Sequence, residues 1–426
     1  MLEMQKKLTN AFYALLSLPA TAMGFALSIQ IAALSWIMNT QYGFDVHEVG
    51  IVWAAGPIAG ILGQPIVGLI SDKIWIWGGR RRPFIVVGGT LAALMLFALP
   101  NIDTIADFLG IGSLIVIASA VALTLDLSIN ISFNPTRSII ADVTPEGSAR
   151  TKGYTWMQTI SGTFGVLAYA IGAIWGNFVL IYFGVFLVLA FSLVPMFFVE
   201  EQKDITGESE ESEGGESETN WPNLWRIFFA NGFSWLGVQT MFVFMIYFIK
   251  QKLFGITDFQ ESLSAEINDQ IGQILSISFL ILNAVGALLP AFVLEPITEK
   301  IGRVRTQMMA VGVMALAYFA IVFIGQTSIS LWILMAFAGV GWAAIVSLPF
   351  AIMSENVEKG RMGYFMGIFN LSIVIPQLIV SLVLSFAIQA VADKNIIFII
   401  SGLSLALSAL FWMSVRESKS IENELK

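Results

Sequence analysis

Asp126 stands alone in the apolar run LIVIASAVALTLDLSINISF, residues 114–133. Holding an ionised carboxylate in hydrocarbon costs roughly 2.5 to 3.5 kcal/mol by insertion scales, so a chain that keeps one there has a use for it. The chemistry open to such a group is reversible protonation, because an apolar surrounding favours the neutral acid and hydration favours release of the proton. Asn130 follows one helical turn later, and Arg137 returns to within about 20° of the same face at 100° per residue. The run therefore carries a polar stripe at lipid depth, the pattern of a pathway for an ion and a polar substrate. A fixed Asp126–Arg137 salt bridge is the bland alternative, but about 16 Å of helix rise separates the two. Arg137 also suits an ordinary anchor at a cytoplasmic helix end.

Other runs contribute amides and aromatic rings, which suit the polar groups and the apolar faces of a small-molecule substrate. Asn231, Trp235 and Gln239 share a helix face, as do Asn370 and Gln377, and Gln30 and Gln64 are further candidates for substrate binding. Trp53, Trp342 and Asn283 are weaker ones. For each amide the competing use is a hydrogen bond between helices. Catalysis has little raw material: the chain has no cysteine and one histidine, His47, in a short external loop. Disulfides, thiolate chemistry and Cys-ligated metals are excluded, and neither an enzyme, a resident metal nor a cofactor is expected.

The elements that must position these groups are membrane spans. Hydrophobic residues make up 57% of the 426 and charged residues 12%, with a mean hydropathy of +0.79, values of a polytopic membrane protein. Runs of about 20 apolar residues predict twelve spans, near 10–38, 49–72, 83–101, 110–136, 153–176, 178–199, 225–249, 270–296, 306–325, 329–354, 362–391 and 396–415. The first is too long for a signal-peptide core and reads as a retained span. An even number places both termini on one side, and of the 22 Lys and Arg only Lys250, Lys252 and Lys394 fall on the other. The positive-inside rule makes the terminal side cytoplasmic; an inner (plasma) membrane location follows. The net charge of −8 owes much to EEQKDITGESEESEGGESETN at 200–220, so it does not point to nucleic acid.

That acidic segment cannot bury enough apolar surface to fold, and it reads as a linker dividing the chain six spans and six. The expected organisation is an N-terminal bundle at 1–199, a linker at 200–222, a C-terminal bundle at 223–415 and a tail at 416–426. Internal similarity supports two copies of one unit. SDK with GGRRR at 71–82 answers TEKIGRVR at 298–305, and Pro135, Asp142, Arg150, Gly153 and Tyr154 answer Pro349, Glu355, Arg361, Gly363 and Tyr364. Such repeats place a midplane site between the halves and work by alternating access. Pro135 and Pro376 should bend the fourth and eleventh spans.

Gly68, Asp72, Lys73, Gly79, Arg80 and Arg81 resemble the cytoplasmic signature of the major facilitator superfamily, and Glu299, Lys300, Gly302 and Arg303 form a second copy. In that signature the acid meets basic groups or a helix N-terminus, so these residues serve gating. Four residues, Ile74 to Trp77, lengthen the first copy. GPIAGILGQPIVGLISDK with GGRRRPF (56–84), DLSINISFNPTRSIIADV (126–143) and MGYFMGIFNLSIVIPQLIVS (362–381) are similar to plant sucrose transporters and their animal and bacterial relatives. Met245, Ile246 and Tyr247 stand where plant members carry acids near the outer end of the seventh span.

The resemblance implies an all-α membrane protein of two pseudo-symmetric six-helix bundles. It also implies Asp126 as the proton-coupling group, with Arg137 and Asp142 near the cytoplasmic mouth. The expected function is symport of a proton with a sugar, a disaccharide or glucoside such as sucrose or maltose, by a monomer in the lipid bilayer. Sodium stays open as the coupling ion, since Asp126 and Asn130 offer oxygen ligands. The alternatives are a proton-coupled drug or metabolite exporter of the same fold and a sugar sensor signalling through the linker.

Overall fold

The computed structural model describes residues 3–61, 75–145, 148–201, 219–289, 294–357 and 362–417. Among these residues the chain is helical, and eleven helices are long and apolar enough to cross a membrane. With the shorter apolar helix Val46–Ile61 they are numbered here α1 (Asn10–Thr40), α2 (Val46–Ile61), α3 (Arg82–Leu109), α4 (Leu114–Ile140), α5 (Lys152–Trp175), α6 (Asn177–Phe197), α7 (Trp221–Phe254), α8 (Ala265–Leu289), α9 (Arg303–Ile324), α10 (Ser328–Ser354), α11 (Ile368–Ala390) and α12 (Ile396–Ser414). They match the twelve predicted runs one for one; the remainder of the second run lies outside the described residues.

Burial follows the logic of a lipid solvent. On α12, Leu403, Leu407 and Leu410 are exposed while Ser401, Ser404 and Ser408 are buried, the reverse of a water-soluble helix. Small polar residues let helix backbones approach and supply hydrogen bonds across them. Ser408 Oγ donates to Ala230 O on α7 at 2.7 Å and lies 2.6 Å from Ser234 Oγ. Helices are required because backbone groups in hydrocarbon must be paired within their own segment.

The chain divides into two compact units, Met1–Thr206 with Gln260–Ser276, and Gly207–Phe259 with Ile277–Lys426. The inclusion of Gln260–Ser276 in the first unit has a local cause. Trp36 Nε1 of α1 donates to Asn268 O at 2.8 Å, and Ser276 Oγ donates to Asn177 Oδ1 at 3.0 Å. Each unit has an apolar cluster at the same end of its helices. Phe12, Leu16, Ile85, Ile139, Met157, Met196 and Val199 form one. Leu224, Ile227, Val304, Ile352, Phe369, Trp412 and Val415 form the other.

α4 runs through Pro135 without a break and continues to Val143. After Pro376, α11 widens into a π-turn at Val380–Leu384, the local change expected where a proline removes a backbone donor. The three lysines on the sparsely charged side are committed structurally. Lys250 is buried. Lys252 pairs with Asp393 at 2.6 Å, which holds that carboxyl below its usual range, helped by the Asn395 N–H. Lys394 Nζ donates to Ile388 O at 2.8 Å and Val391 O at 2.6 Å, capping the end of α11, and burial pushes its ammonium below the usual lysine range.

Candidate functional site

Asp126 sits on the inward face of α4 and is 5% exposed. Its Oδ2 accepts a hydrogen bond of 2.8 Å from Gln30 Nε2 of α1, which is also buried. Among the described residues no lysine or arginine pairs with it. Gly56 of α2 covers the other side: a Cβ built there would lie 3.4 Å from both carboxyl oxygens. The absence of a side chain at Gly56 thus leaves room directly against the acid. Asn130 turns its amide back along α4, Nδ2 donating to Asp126 O at 2.8 Å. Arg137 is not joined to Asp126; its guanidinium lies 4.1 Å from the Phe133 ring centroid, and its carbonyl accepts from Tyr154 OH. Trp53 Nε1 donates to Ser35 Oγ at 2.7 Å, which fixes the indole on α1.

The second unit gathers its own polar and aromatic group. Trp342 of α10 packs edge-on against Trp235 (centroids 5.9 Å apart) and Phe242 (5.3 Å) of α7. Its Nε1 donates to Asn283 Oδ1 of α8 at 3.1 Å. Gln377 Nε2 approaches Gln239 Oε1 at 3.4 Å, joining α11 to α7. Asn231 does not join them, since its Nδ2 donates to Ser372 Oγ at 2.8 Å and it is buried. Asn370 is half-buried and has no side-chain partner among the described residues.

The GGRRR motif resolves into separate tasks. Gly78 takes a positive φ of 76° in a tight turn. Gly79 faces Glu201 so closely that a Cβ there would lie 2.2 Å from Glu201 Oε1. Arg80 and Arg81 both reach Asp142, at 3.0 and 3.1 Å. The Glu201 carboxylate accepts from the backbone N–H groups of Arg80, Arg81 and Arg82, each at 2.9 Å, and so caps the N-terminus of α3. Helix N-termini favour such anions because their first N–H groups lack intrahelical partners.

The second unit repeats the device. Arg303 pairs with Glu355, and Glu417 accepts from Arg303 N at 3.2 Å and Val304 N at 3.0 Å. An amide at the start of each half holds the strand of chain that carries the capping acid. Gln5 exchanges two hydrogen bonds with the backbone of Glu200, and Asn223 does the same with Arg416. Lys300 is exposed. Gln64, Gly68, Asp72 and Lys73 lie outside the described residues, as does the side chain of Glu299. Glu201, Glu417, Gln5, Asn223 and Gly56 were not marked by motif reading. The signal for the capping acids is the tripeptide Val-X-Glu just after the last span of each half, at 199–201 and again at 415–417.

The sequence model of the Major Facilitator Superfamily matches residues 16–381. Sucrose transport protein SUT2 of Oryza sativa subsp. indica is 24% identical over 424 residues, covering 85% of this chain and 84% of that protein. Sucrose transport protein SUC4 of Arabidopsis thaliana is 24% identical, covering 85% and 81%. The general alpha-glucoside permease of Schizosaccharomyces pombe is 28% identical over 174 residues, covering 37% and 31%. Among solved structures, a D-xylose-proton symporter superposes with a TM-score of 0.70 at 14% identity, covering 96% of this chain and 98% of that one. The nucleoside transporter NupG gives 0.69 at 13% identity, covering 96% and 99%. These structures share the fold.

Proposed function

The chain belongs to the Major Facilitator Superfamily, a multi-pass membrane transporter family, and from that premise we propose that it imports a sugar together with a proton by alternating access. The observation that carries the reading is Asp126: a carboxyl at membrane depth, 5% exposed, held by a neutral amide and, among the described residues, by no cation. A group so placed can exist with or without its proton, whereas a salt-bridged one would be fixed in the charged form. Gln30 donates to the carboxyl, and Gly56, having no side chain, covers the acid as thinly as a residue can.

The sugar is a glucoside or disaccharide, in keeping with relatives named for sucrose and alpha-glucoside transport. Trp342, Trp235 and Phe242 supply rings for its apolar faces; Asn283, Gln239 and Gln377 supply amides for its hydroxyls. The Arg80, Arg81, Asp142 and Glu201 network and its Arg303, Glu355 and Glu417 copy serve as gating elements. Proton entry contributes about 2.3 kcal/mol per 100 mV, which at about 1.4 kcal/mol per decade sustains roughly fiftyfold accumulation.

The test is uptake into proteoliposomes from a panel of labelled sugars, with and without an inward pH gradient. One sugar should accumulate with alkalinisation of the medium, and Asp126→Asn should abolish uphill uptake while leaving exchange of sugar for sugar. Accumulation by the variant against a gradient would overturn the assignment. Binding of several hydrophobic cations with no sugar would point instead to an exporter.

A further inference from the structure

The four residues that lengthen the first gating signature end in an unusual turn. Ile76 and Gly79 exchange backbone hydrogen bonds, Ile76 N to Gly79 O at 3.0 Å and Gly79 N to Ile76 O at 3.2 Å. The two residues between them, Trp77 and Gly78, have φ of 53° and 76°. Turns of this left-handed form are built from Gly, Asn and Asp, and a bulky residue at positive φ is strained. Here the strained residue is a tryptophan with 62% of its surface exposed, beside an Ile76 that is 46% exposed. Water gives no reason to hold an indole at the tip of a turn.

The surroundings supply one. Arg82 Nη1 donates to Trp77 O at 3.1 Å and its Nη2 donates to Val199 O, so the turn is tied to the first residue of α3 and the end of α6. The same two helices carry exposed apolar side chains along their length, Val87, Leu94 and Phe97 on α3 and Phe197, Phe186 and Phe183 on α6. Such side chains on membrane-spanning helices have lipid as their solvent, and a turn tied to the ends of both helices falls where Trp is favoured by the membrane–water interface.

We propose that the Ile76–Trp77 turn docks in the headgroup region of the bilayer, on the side that carries the chain's termini. With 62% of its surface exposed, the Trp77 side chain is free to enter that region. Arg82 places this lipid seat one hydrogen bond from the helix that Glu201 caps.

The natural chain has no cysteine, so Ile76→Cys can be labelled uniquely with a polarity-sensitive fluorophore and reconstituted in phosphatidylcholine and phosphatidylglycerol vesicles. The emission should be blue-shifted and quenched by lipids carrying a nitroxide at the headgroup or a shallow acyl carbon, and resistant to iodide present on both sides. Trp77→Gly, which relieves the backbone strain and so still folds, should lower the lipid quenching severalfold and expose the label to iodide. Iodide quenching without lipid quenching in the parent would overturn the proposal. So would protection from both quenchers, which would place the turn against protein, or unchanged lipid quenching in the glycine variant.

Discussion

Removing one side chain, Glu201→Ala, tests whether the capping acids hold the N-termini of α3 and α9. The carboxylate accepts from three successive backbone donors, the Arg80, Arg81 and Arg82 N–H groups, each at 2.9 Å. Loss of a helix cap typically costs about 0.5 to 2 kcal/mol, and loss of a negative charge at a helix N-terminus a further ~0.3 to 1. The sum is about 1 to 3 kcal/mol. For a unit of roughly 200 residues each kcal/mol moves the melting temperature by about 2–4 °C, so a fall of about 2 to 12 °C is expected in detergent. Glu201→Gln keeps an acceptor and should fall between. Glu200→Ala is the control, because that neighbouring side chain is exposed and its loss should stay within ~0.5 kcal/mol. Gly79→Ala should mimic Glu201→Ala, since the new methyl would displace the same carboxylate, and the double variant should be little worse than either alone. Equal shifts for Glu200→Ala and Glu201→Ala, or additive effects of Gly79→Ala and Glu201→Ala, would refute the capping role.

The remaining expectations concern the two polar groups and the loop between α11 and α12. Gly56→Ala meets the Asp126 oxygens at ordinary contact distance and should keep uptake, whereas Gly56→Val should cover the acid and lower initial uptake rates by about tenfold or more, ~1.4 kcal/mol of barrier, without loss of the folded peak in gel filtration. Trp342→Phe keeps ring packing and loses only the bond to Asn283, so a KM raised by about three- to tenfold with little change in Tm is expected, from a hydrogen bond of ~1 kcal/mol. Asn231→Ala should do the opposite, lowering Tm through its lost bond to Ser372, about 0.5 to 1.5 kcal/mol, while sugar KM stays constant. The Lys252 ammonium holds the Asp393 carboxyl below the ordinary range. Its contribution is therefore present above that range and lost as pH falls below it; the acid is largely exposed, so Asp393→Asn should cost under ~1 kcal/mol at neutral pH and nothing in acid melts.

Fold and family were legible because lipid imposes a simple rule on sequence: long apolar runs become helices, and an acid among them stands out. The same rule explains what was not legible. Spacing places Asn231, Trp235 and Gln239 on one face of α7 but does not say what that face meets. The structure sends Asn231 to Ser372, and Gln239 toward Gln377. Gln30 lies 96 residues from Asp126, and no local pattern pairs them. Glu201 was hidden by its context, since it opens a Glu- and Ser-rich stretch whose composition reads as solvated linker, yet its carboxylate is spent on a helix end. Trp36, Asn177 and Ser276 draw the start of α8 to the first unit through contacts that span counting does not register.

The repeat separates what both halves need from what one half does alone. Chain-holding amides Gln5 and Asn223, capping acids Glu201 and Glu417, and arginine–acid pairs to Asp142 and Glu355 recur at matching places, although the residues differ in type and number. That recurrence despite substitution means the geometry, an anion at the N-terminus of the third helix of each half, is the retained quantity. Asp126 has no such counterpart. The correspondence of Pro135 with Pro349 and of Asp142 with Glu355 carries it onto Gly339 and Val340, in an α10 that holds no acid at that depth. At the same level the second unit instead offers Trp342, with Trp235, Phe242 and Asn283 around it. On the proposed function, a duplicated frame with the buried acid in one copy and the Trp342 cluster in the other would place ion handling in the first half and ring contacts to the sugar in the second, and coupling would need both.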